Sequence, residues 1–238
     1  MVMFRGGQGR RSERDVRRRL LGQNFLADRS LISRFVAGLD LATGGLVVDV
    51  GAGAGALTVP LAMAGVEVWA VERDDAWVDR LRAAIDRAGV VDSVRVIRGD
   101  LRTVRLPRSP YRVVANPPFG LTTAFLERLL DDPDRGPERA DVVVQREVAR
   151  KHAADVPTSL RTAAWAPWWE FSLGMHIDRR AFRPVPSVDA SVLRIDRRNP
   201  PILPTRLAPG FVEVLRPRWG PGGDSSHQAN VPNRPQAP

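Results

Sequence analysis

Asn116, Pro117, Pro118 and Phe119 combine an amide, a rigid turn and an aromatic ring in one short stretch. The two prolines hold the backbone extended and cannot continue a strand ladder, so they fix the residues on either side. The Asn116 amide oxygen and the Pro117 carbonyl can accept both hydrogens of an exocyclic base amine, while Phe119 can stack on an extruded base. An activated methyl on a sulfonium then needs little beyond alignment, so the tetrad predicts methyl transfer to an amine. The alternative is a proline-rich turn beside an ordinary core phenylalanine.

A glycine-rich turn at Gly51, Gly53 and Gly55 follows the apolar run Leu46–Val50. Glycine permits backbone angles that a Cβ forbids and lets the backbone come close to a ligand. Glu72 lies about 20 residues further on, where dinucleotide-binding and related folds place the carboxylate that accepts the ribose hydroxyls. The spacing therefore predicts a nucleoside-binding site. A tight strand-to-helix connection and a plain surface acid are the alternatives.

Alternating strand and helix patterns surround these groups and predict an α/β fold with an open parallel sheet. The predicted strands are Leu46–Val50, Val66–Asp74, Val94–Asp100 and Arg112–Ala115. The predicted helices are Arg29–Leu39, Ala56–Ala64 and Asp75–Ala88, with Asp28 as the cap of the first and Trp77 on the apolar stripe of the third. Because neighbouring parallel strands end at one edge, Gly51, Glu72, Asp100 and Asn116 should meet there.

The composition limits the chemistry that the chain can perform. Its 238 residues include no cysteine, which excludes disulfides, thiolate metal sites and the thiolate that methylation at carbon 5 of a base usually requires. The three histidines have no ligand spacing, so we predict no metal site. A formal net charge of +9 favours a polyanionic partner, and seven arginines against two acids between residues 5 and 19 make the amino end especially basic. That arm could equally be a solvated, disordered segment.

Taken together, the motifs resemble those of class I S-adenosylmethionine methyltransferases, and specifically of the rRNA adenine N6-methyltransferases. That group comprises the erythromycin-resistance (Erm) methylases and the small-subunit dimethyladenosine transferases. The resemblance covers residues 16–215 and keeps the family's order through the Glu72 strand end and Gly99-Asp100. The other matching stretches are GQNFLAD up to Asp28, DVGAGAGALT from Asp49, NPPF from Asn116, QREVARK from Gln145 and FRPVPSVDASVLRI from Phe182.

The resemblance implies a Rossmann-like sheet and a role for each matching residue. Asn116, Pro117 and Phe119 are the implied catalytic residues, with Asn116 and Phe119 on the target adenine. Glu72 would bind the ribose and Asp100 the adenine amine of S-adenosylmethionine. The remaining implied cofactor contacts are Gln23, Asn24, Leu26, Gly51, Gly53, Gly55 and Asn116 itself.

The arginine arm, GQNFLAD and the phenylalanine of NPPF are more similar to the Erm branch than to the small-subunit branch. The implied target is then one adenine at the macrolide site of 23S rRNA, methylated before the 50S subunit is fully assembled. The implied outcome is resistance to macrolide, lincosamide and streptogramin B drugs. We expect a monomer in the cytoplasm, without a signal peptide or a membrane span.

Several departures leave alternatives open. Asp49 stands where the family more often has glutamate, the stretch 152–161 is short, and only a brief segment follows Ile195.

We predict an arm over residues 1–19, a methyltransferase domain over 20–198, a remnant of a helical C-terminal lobe over 199–216 and a disordered tail over 217–238. DNA adenine, protein glutamine and small-subunit rRNA acceptors remain open, as does a non-catalytic RNA-binding role. Trp165, Trp168 and Trp169 are predicted to be core residues.

Overall fold

The computed structural model describes residues 24–219. Its strands are β1 (Phe25–Leu26), β2 (Leu46–Val50), β3 (Glu67–Glu72), β4 (Val94–Arg98), β5 (Arg112–Ala115), β6 (Arg139–Gln145), β7 (Trp169–Ile177), β8 (Phe182–Arg183) and β9 (Ala190–Arg197). Its α-helices are α1 (Arg29–Ala37), α2 (Thr58–Met63), α3 (Asp75–Ala88), α4 (Thr122–Leu130), α5 (Arg146–His152), α6 (Leu160–Trp165) and α7 (Ala208–Leu215). The predicted arm and Gln23 lie outside the described residues, as does nearly all of the predicted tail.

Seven strands form one sheet in the order β4-β3-β2-β5-β6-β9-β7. The first five run parallel, and β9 pairs antiparallel with both β6 and β7. The chain leaves β2 for β3 on one side and returns to β5 on the other, so the strand order reverses between β2 and β5. Open α/β sheets bind ligands at the carboxyl ends of the strands at such a reversal. The predicted α/β fold is thus confirmed.

The two faces of the sheet are covered by different helices. Val47 and Val114 point toward α1, α2 and α3, whereas their neighbours Val48 and Val113 point toward α4. Both faces are packed mainly with apolar side chains, and Leu61 on one face and Leu126 on the other have no exposed surface. Full burial of each such side chain stabilises the fold by roughly 1.5–3 kcal/mol. The sheet is therefore a rigid platform for the groups at its edge.

Helix ends hold the segments that border this edge. Asp28 accepts a hydrogen bond from the Leu31 N–H at 3.0 Å, which confirms it as the cap of α1. Asp74 accepts one from the Ala76 N–H at 2.9 Å and starts α3 two residues after β3 ends. Each cap satisfies a backbone donor that the helix itself cannot. The caps fix where the two helices begin relative to the sheet.

The observed elements are mostly shorter than the predicted ones. Helix α1 ends at Ala37, just before its C-cap Gly38. Helix α2 begins only at Thr58, because the glycine turn is followed by further turns. On α3 the buried positions are Val78, Leu81 and Ile85, and Trp77 is half-buried against another aromatic ring. Trp77 therefore shares the predicted stripe with the buried Leu81 and Ile85 but is itself only half-buried. Within residues 24–219, no helix has the length and apolar character needed to cross a bilayer.

Candidate active site at the carboxyl edge of the sheet

A cleft opens where β2, β3, β4 and β5 end. It is lined by Asn24, Phe25, Gly51, Val71, Glu72, Arg73, Gly99, Asp100, Leu101, Asn116, Pro118 and Leu121. Five predicted site residues thus line one cavity, namely Asn24, Gly51, Glu72, Asp100 and Asn116. A larger cleft lies at the opposite edge between the segment 105–111 and the loop 132–138, away from these groups. The carboxyl-edge cleft is the candidate active site.

The glycine turn forms one wall of the cleft. Gly51, Gly53 and Gly55 all have positive φ angles, between 56° and 87°. A Cβ on Gly53 would lie 2.9 Å from Cε1 of Phe25, and a Cβ on Gly55 would lie 2.9 Å from a Leu81 methyl. Side chains at these two positions would therefore push a neighbour away as well as strain the backbone. Gly53 and Gly55 border the cleft without lining it.

Glu72 is held in place by three backbone donors. One carboxylate oxygen accepts the Gly53 N–H at 2.9 Å, and the other accepts the N–H groups of Arg73 at 2.8 Å and Asp74 at 2.9 Å. The side chain is only 9% exposed, so it is not a plain surface acid. A carboxylate offers about four acceptor sites, which leaves room for a further donor such as a hydroxyl. Glu72 therefore ties the glycine turn to the end of β3 while facing the cleft.

Asp100 is paired with two arginines that the sequence reasoning had not placed at the site. Arg102 binds it through its backbone N–H and its guanidinium at 2.7–2.9 Å, and Arg73 approaches at 3.3 Å. The hydrogen bonds from the Arg102 side chain and backbone hold the pKa of Asp100 well below its usual range. Asp100 is consequently a permanent acceptor at neutral pH. The two-residue separation from Arg102 was the available signal for this pairing.

Asn116, which lines the cleft, has one unsatisfied acceptor. Its Nδ2 donates to the Asn24 carbonyl at 2.8 Å, which orients the amide. Its Oδ1 is buried and has no hydrogen-bond partner among the described residues. A buried acceptor without a partner costs free energy, and such sites are usually completed by a ligand or water. The amide oxygen is therefore available to receive an N–H group from a bound molecule.

Pro117 and Phe119 complete the tetrad around this amide. Pro117 is buried, and its Cα would lie 3.7 Å from a Cβ on Gly51, so tetrad and glycine turn are neighbours. Phe119 is half-buried and meets the fully buried Phe182 edge-on, with ring centroids 5.9 Å apart. The sequence predicts no site role for Phe182, which appears only as the first residue of the matching stretch FRPVPSVDASVLRI. Its position beside Phe119 could not be read from their distance along the chain.

The segment Asn24–Leu26 reaches the site through a two-stranded ribbon. Strand β1 pairs antiparallel with β8, with Phe25 opposite Arg183 and Leu26 opposite Phe182. Leu26 is 5% exposed and packs into the core, whereas the Phe25 side chain lines the cleft. Phe25, which was not among the predicted site residues, lines the cleft, and a cofactor contact by Leu26 stays a prediction.

A buried acid lies beneath the glycine turn. Asp49 on β2 is 1% exposed and accepts a short hydrogen bond, 2.6 Å, from the Thr58 hydroxyl at the start of α2. Burial raises its pKa to about 7, and the nearby negative charge of Glu72 acts in the same direction. The hydrogen bond joins the strand and the helix that flank the turn. Sequence reasoning noted Asp49 only as a departure from the family pattern.

The tryptophan cluster is structural, as predicted. Trp165, Trp168 and Trp169 are each at most 3% exposed. Their indole N–H groups donate to Asp131, to the Leu203 carbonyl and to the Leu130 carbonyl, respectively. No indole donor is left for a base. Among the described residues, no group of three or more acidic, histidine or cysteine side chains could hold a metal ion.

The sheet order, the glycine turn and the acids at successive strand ends define a class I S-adenosylmethionine-dependent methyltransferase. The carboxylates of Glu72 and Asp100 accept hydrogen bonds and cannot donate them, which suits the hydroxyl and amine donors of an adenosine-containing cofactor. The unpartnered oxygen of Asn116 suits the N–H group of an amine beside it. The family profile described as ribosomal RNA adenine dimethylase matches residues 14–216, and the chain belongs to that family. It is accordingly an rRNA adenine methyltransferase whose cofactor is S-adenosylmethionine, as the sequence predicted.

Several known proteins are similar to the chain. An rRNA methyltransferase of Streptomyces thermotolerans is 39% identical over 94% of this chain and 75% of its own. The mycinamicin-resistance protein MyrB of Micromonospora griseorubida is 38% identical over 85% of this chain and 63% of its own. The structure of the 23S rRNA methyltransferase ErmE superposes with a TM-score of 0.71 at 30% identity, covering 84% of this chain and 81% of that one. A Plasmodium falciparum dimethyladenosine transferase shares the fold, with a TM-score of 0.66 at 19% identity over 74% of this chain and 64% of that one.

Proposed function

We propose that the chain transfers a methyl group from S-adenosylmethionine to N6 of one adenine in 23S rRNA and so confers macrolide, lincosamide and streptogramin B resistance. The observation that carries the proposal is the buried, unpartnered Oδ1 of Asn116 in the cleft. The likeness to ErmE at 30% identity and to the mycinamicin-resistance protein at 38% supports the ribosomal target and the resistance.

In this proposal the cofactor is held by groups at three strand ends. The Glu72 carboxylate receives the ribose hydroxyls and Asp100 receives the adenine amine. Asn24, Leu26 and the turn glycines border the methionine part, and Gln23 remains a predicted contact outside the described residues. The bound cofactor supplies an electrophilic methyl on a sulfonium. Because Asp100 stays ionised and Glu72 is fixed by three N–H groups, both acceptors are in place before binding.

The tetrad then orients the target. The Asn116 amide oxygen and the Pro117 carbonyl accept the two hydrogens of the adenine amine, which directs the nitrogen lone pair toward the methyl. Phe119 stacks on the extruded base, and the edge-on Phe182 holds its ring. Alignment of the two reactants is the main catalytic contribution, so no strong base is required.

We further propose that the enzyme acts as a monomer in the cytoplasm on 23S rRNA that is not yet fully assembled into the 50S subunit. An adenine must leave its stack to reach a cleft at the sheet edge, and an incompletely assembled RNA resists this least. The net charge of +9 supports association with the RNA backbone.

The test is methyl transfer by the purified chain with labelled S-adenosylmethionine to 23S rRNA, 16S rRNA, duplex DNA and a release factor, side by side. We expect label in 23S rRNA alone and a primer-extension stop at one adenine. Label in another acceptor, or in none, would contradict the proposal.

A pair of variants tests the tetrad in the same assay. Asn116→Ala should keep cofactor affinity by calorimetry and lose at least about 100-fold in kcat, as for other removed transition-state acceptors. Thr123→Ala, on the exposed side of the neighbouring helix α4, is the matched control and should behave as the wild type. Full activity of Asn116→Ala would refute the role of the amide.

A further inference from the structure

Phe25 and Trp77 form an aromatic pair beside the cleft. Their ring centroids are 4.5 Å apart and their planes are inclined by 40°. Both rings are half-buried, and neither belongs to the two apolar clusters that fill the faces of the sheet. Phe25 lines the cleft together with Glu72 and Asn116. The pair therefore contributes to the wall of the cleft rather than to the core.

Phe25 is seated on the glycine turn. Its Cε1 and Cδ1 would lie 2.9 and 3.2 Å from a Cβ on Gly53, so the ring occupies the space that a side chain there would need. The same Gly53 donates its N–H to Glu72 at 2.9 Å. The position of the Phe25 ring is thus tied to the loop that holds the proposed ribose acceptor.

Trp77 supports the Phe25 ring from the other side. It lies in the first turn of α3, and Asp74, the cap of that helix, fixes the turn close to the end of β3. The Arg80 guanidinium lies 4.7 Å from the centroid of the Trp77 ring. Gly53, Phe25, Trp77 and Arg80 therefore form a stack of neighbouring groups, each in contact with the next.

The stack holds the segment Asn24–Leu26, which borders the proposed cofactor site and also contacts Asn116, the proposed contact of the target adenine. Residues Asn24–Leu26 carry the Phe25 ring, and the Asn24 carbonyl accepts the hydrogen bond that orients Asn116. The ring contacts of Phe25 act together with the β1–β8 ribbon, the Ala27 and Asp28 N–H bonds to the Ala181 carbonyl and the buried Leu26 side chain to hold this segment against the turn. Loosening the stack would let the segment move off the cleft.

We propose that Trp77 is a positioning residue for S-adenosylmethionine: it holds Phe25 on Gly53 and so keeps the segment Asn24–Leu26 closed over the cofactor cleft. The inference rests on the proposed function only in taking S-adenosylmethionine as the ligand. When the closed arrangement is only partly populated, the apparent Kd equals the Kd of the closed form divided by the fraction that is still closed. Once the cofactor is bound the segment is closed again, so kcat at saturating cofactor is retained.

The experiment compares Trp77→Ala, Trp77→Leu and Trp77→Phe with the wild type by calorimetry, using S-adenosylmethionine and no RNA. We expect the Ala and Leu variants to weaken binding by about tenfold, the size of one lost aromatic pair, and the Phe variant to stay within about twofold. The matched control is Trp69→Ala, which removes another half-buried tryptophan with a stacked arginine, Arg95 at 4.9 Å, on β3. It should lower Tm and leave Kd unchanged.

Three results would overturn the inference: a wild-type Kd in folded Trp77→Ala and Trp77→Leu, an equal loss in Trp77→Phe, or a fall in kcat at saturating cofactor without a change in Kd. The calorimetric results for Trp77 and the rRNA methylation assay can fail independently of each other. A wild-type chain that shows the expected Kd pattern and yet leaves 23S rRNA unmethylated would contradict the proposed function and leave the role of Trp77 intact.

Discussion

Replacing Asp49 by asparagine should remove a pH-dependent loss of stability. The carboxyl group is buried, and burial raises its pKa to about 7, from 3.8 for a free side chain. A raised pKa means that the folded protein prefers the protonated acid. The contribution of Asp49 to the free energy of unfolding is therefore complete below about pH 4 and is lost as the pH rises through 7. A difference of about three pKa units corresponds to about 4 kcal/mol.

Asparagine keeps the shape and an oxygen that can accept the Thr58 hydroxyl, but it never ionises. Urea unfolding of Asp49→Asn and the wild type from pH 4 to pH 9 should therefore give similar free energies at the acid end and favour the variant by up to about 4 kcal/mol at the alkaline end. Asp92→Asn, at an exposed position, controls for the change in net charge. A difference between Asp49→Asn and wild type that stays constant across this range would refute the reasoning.

Three further perturbations test other parts of the site. Gly55→Ala should lower the free energy of unfolding by about 2–4 kcal/mol in urea, because the new Cβ would lie 2.9 Å from Leu81 at a φ of +87°; an unchanged midpoint would contradict this. Arg102→Leu should raise the pKa of Asp100 toward its usual range, so that cofactor binding weakens at a higher pH than in the wild type as the solution is acidified, as calorimetry between pH 3 and pH 6 would detect. Phe119→Ala should lower kcat/KM for rRNA with an unchanged cofactor Kd, while Phe119→Tyr, which keeps a stacking ring, should remain active.

The sequence was sufficient for the parts of the site that local patterns determine. Strand ends followed by Gly51, Glu72 and Asp100 converge because parallel strands share an edge, and that follows from periodicity and spacing alone. The tetrad at Asn116 was found for the same reason, since β5 runs directly into it. These residues needed no knowledge of which distant segments touch.

Contacts between distant segments were not predictable from the sequence. The hydrogen bond from Asn116 to Asn24 spans 92 residues, and it decides which amide atom is left without a partner. The contact of Phe25 with Trp77 likewise depends on how the segment before α1 crosses the glycine turn. Helical periodicity predicts the stripe of α3 on which Trp77 lies, but it cannot show that the Phe25 ring contacts Trp77 in the first turn of that helix.

The ribbon formed by β1 and β8 also constrains when the enzyme can become active during its synthesis. The segment bearing Asn24 and Phe25 is made early, yet its strand partner at Phe182–Arg183 leaves the ribosome only after the whole parallel part of the sheet. Until then the segment lacks its β8 partner, and the pairing must close a very long loop of chain. A nascent chain can thus hold a complete glycine turn and tetrad and still lack a finished pocket.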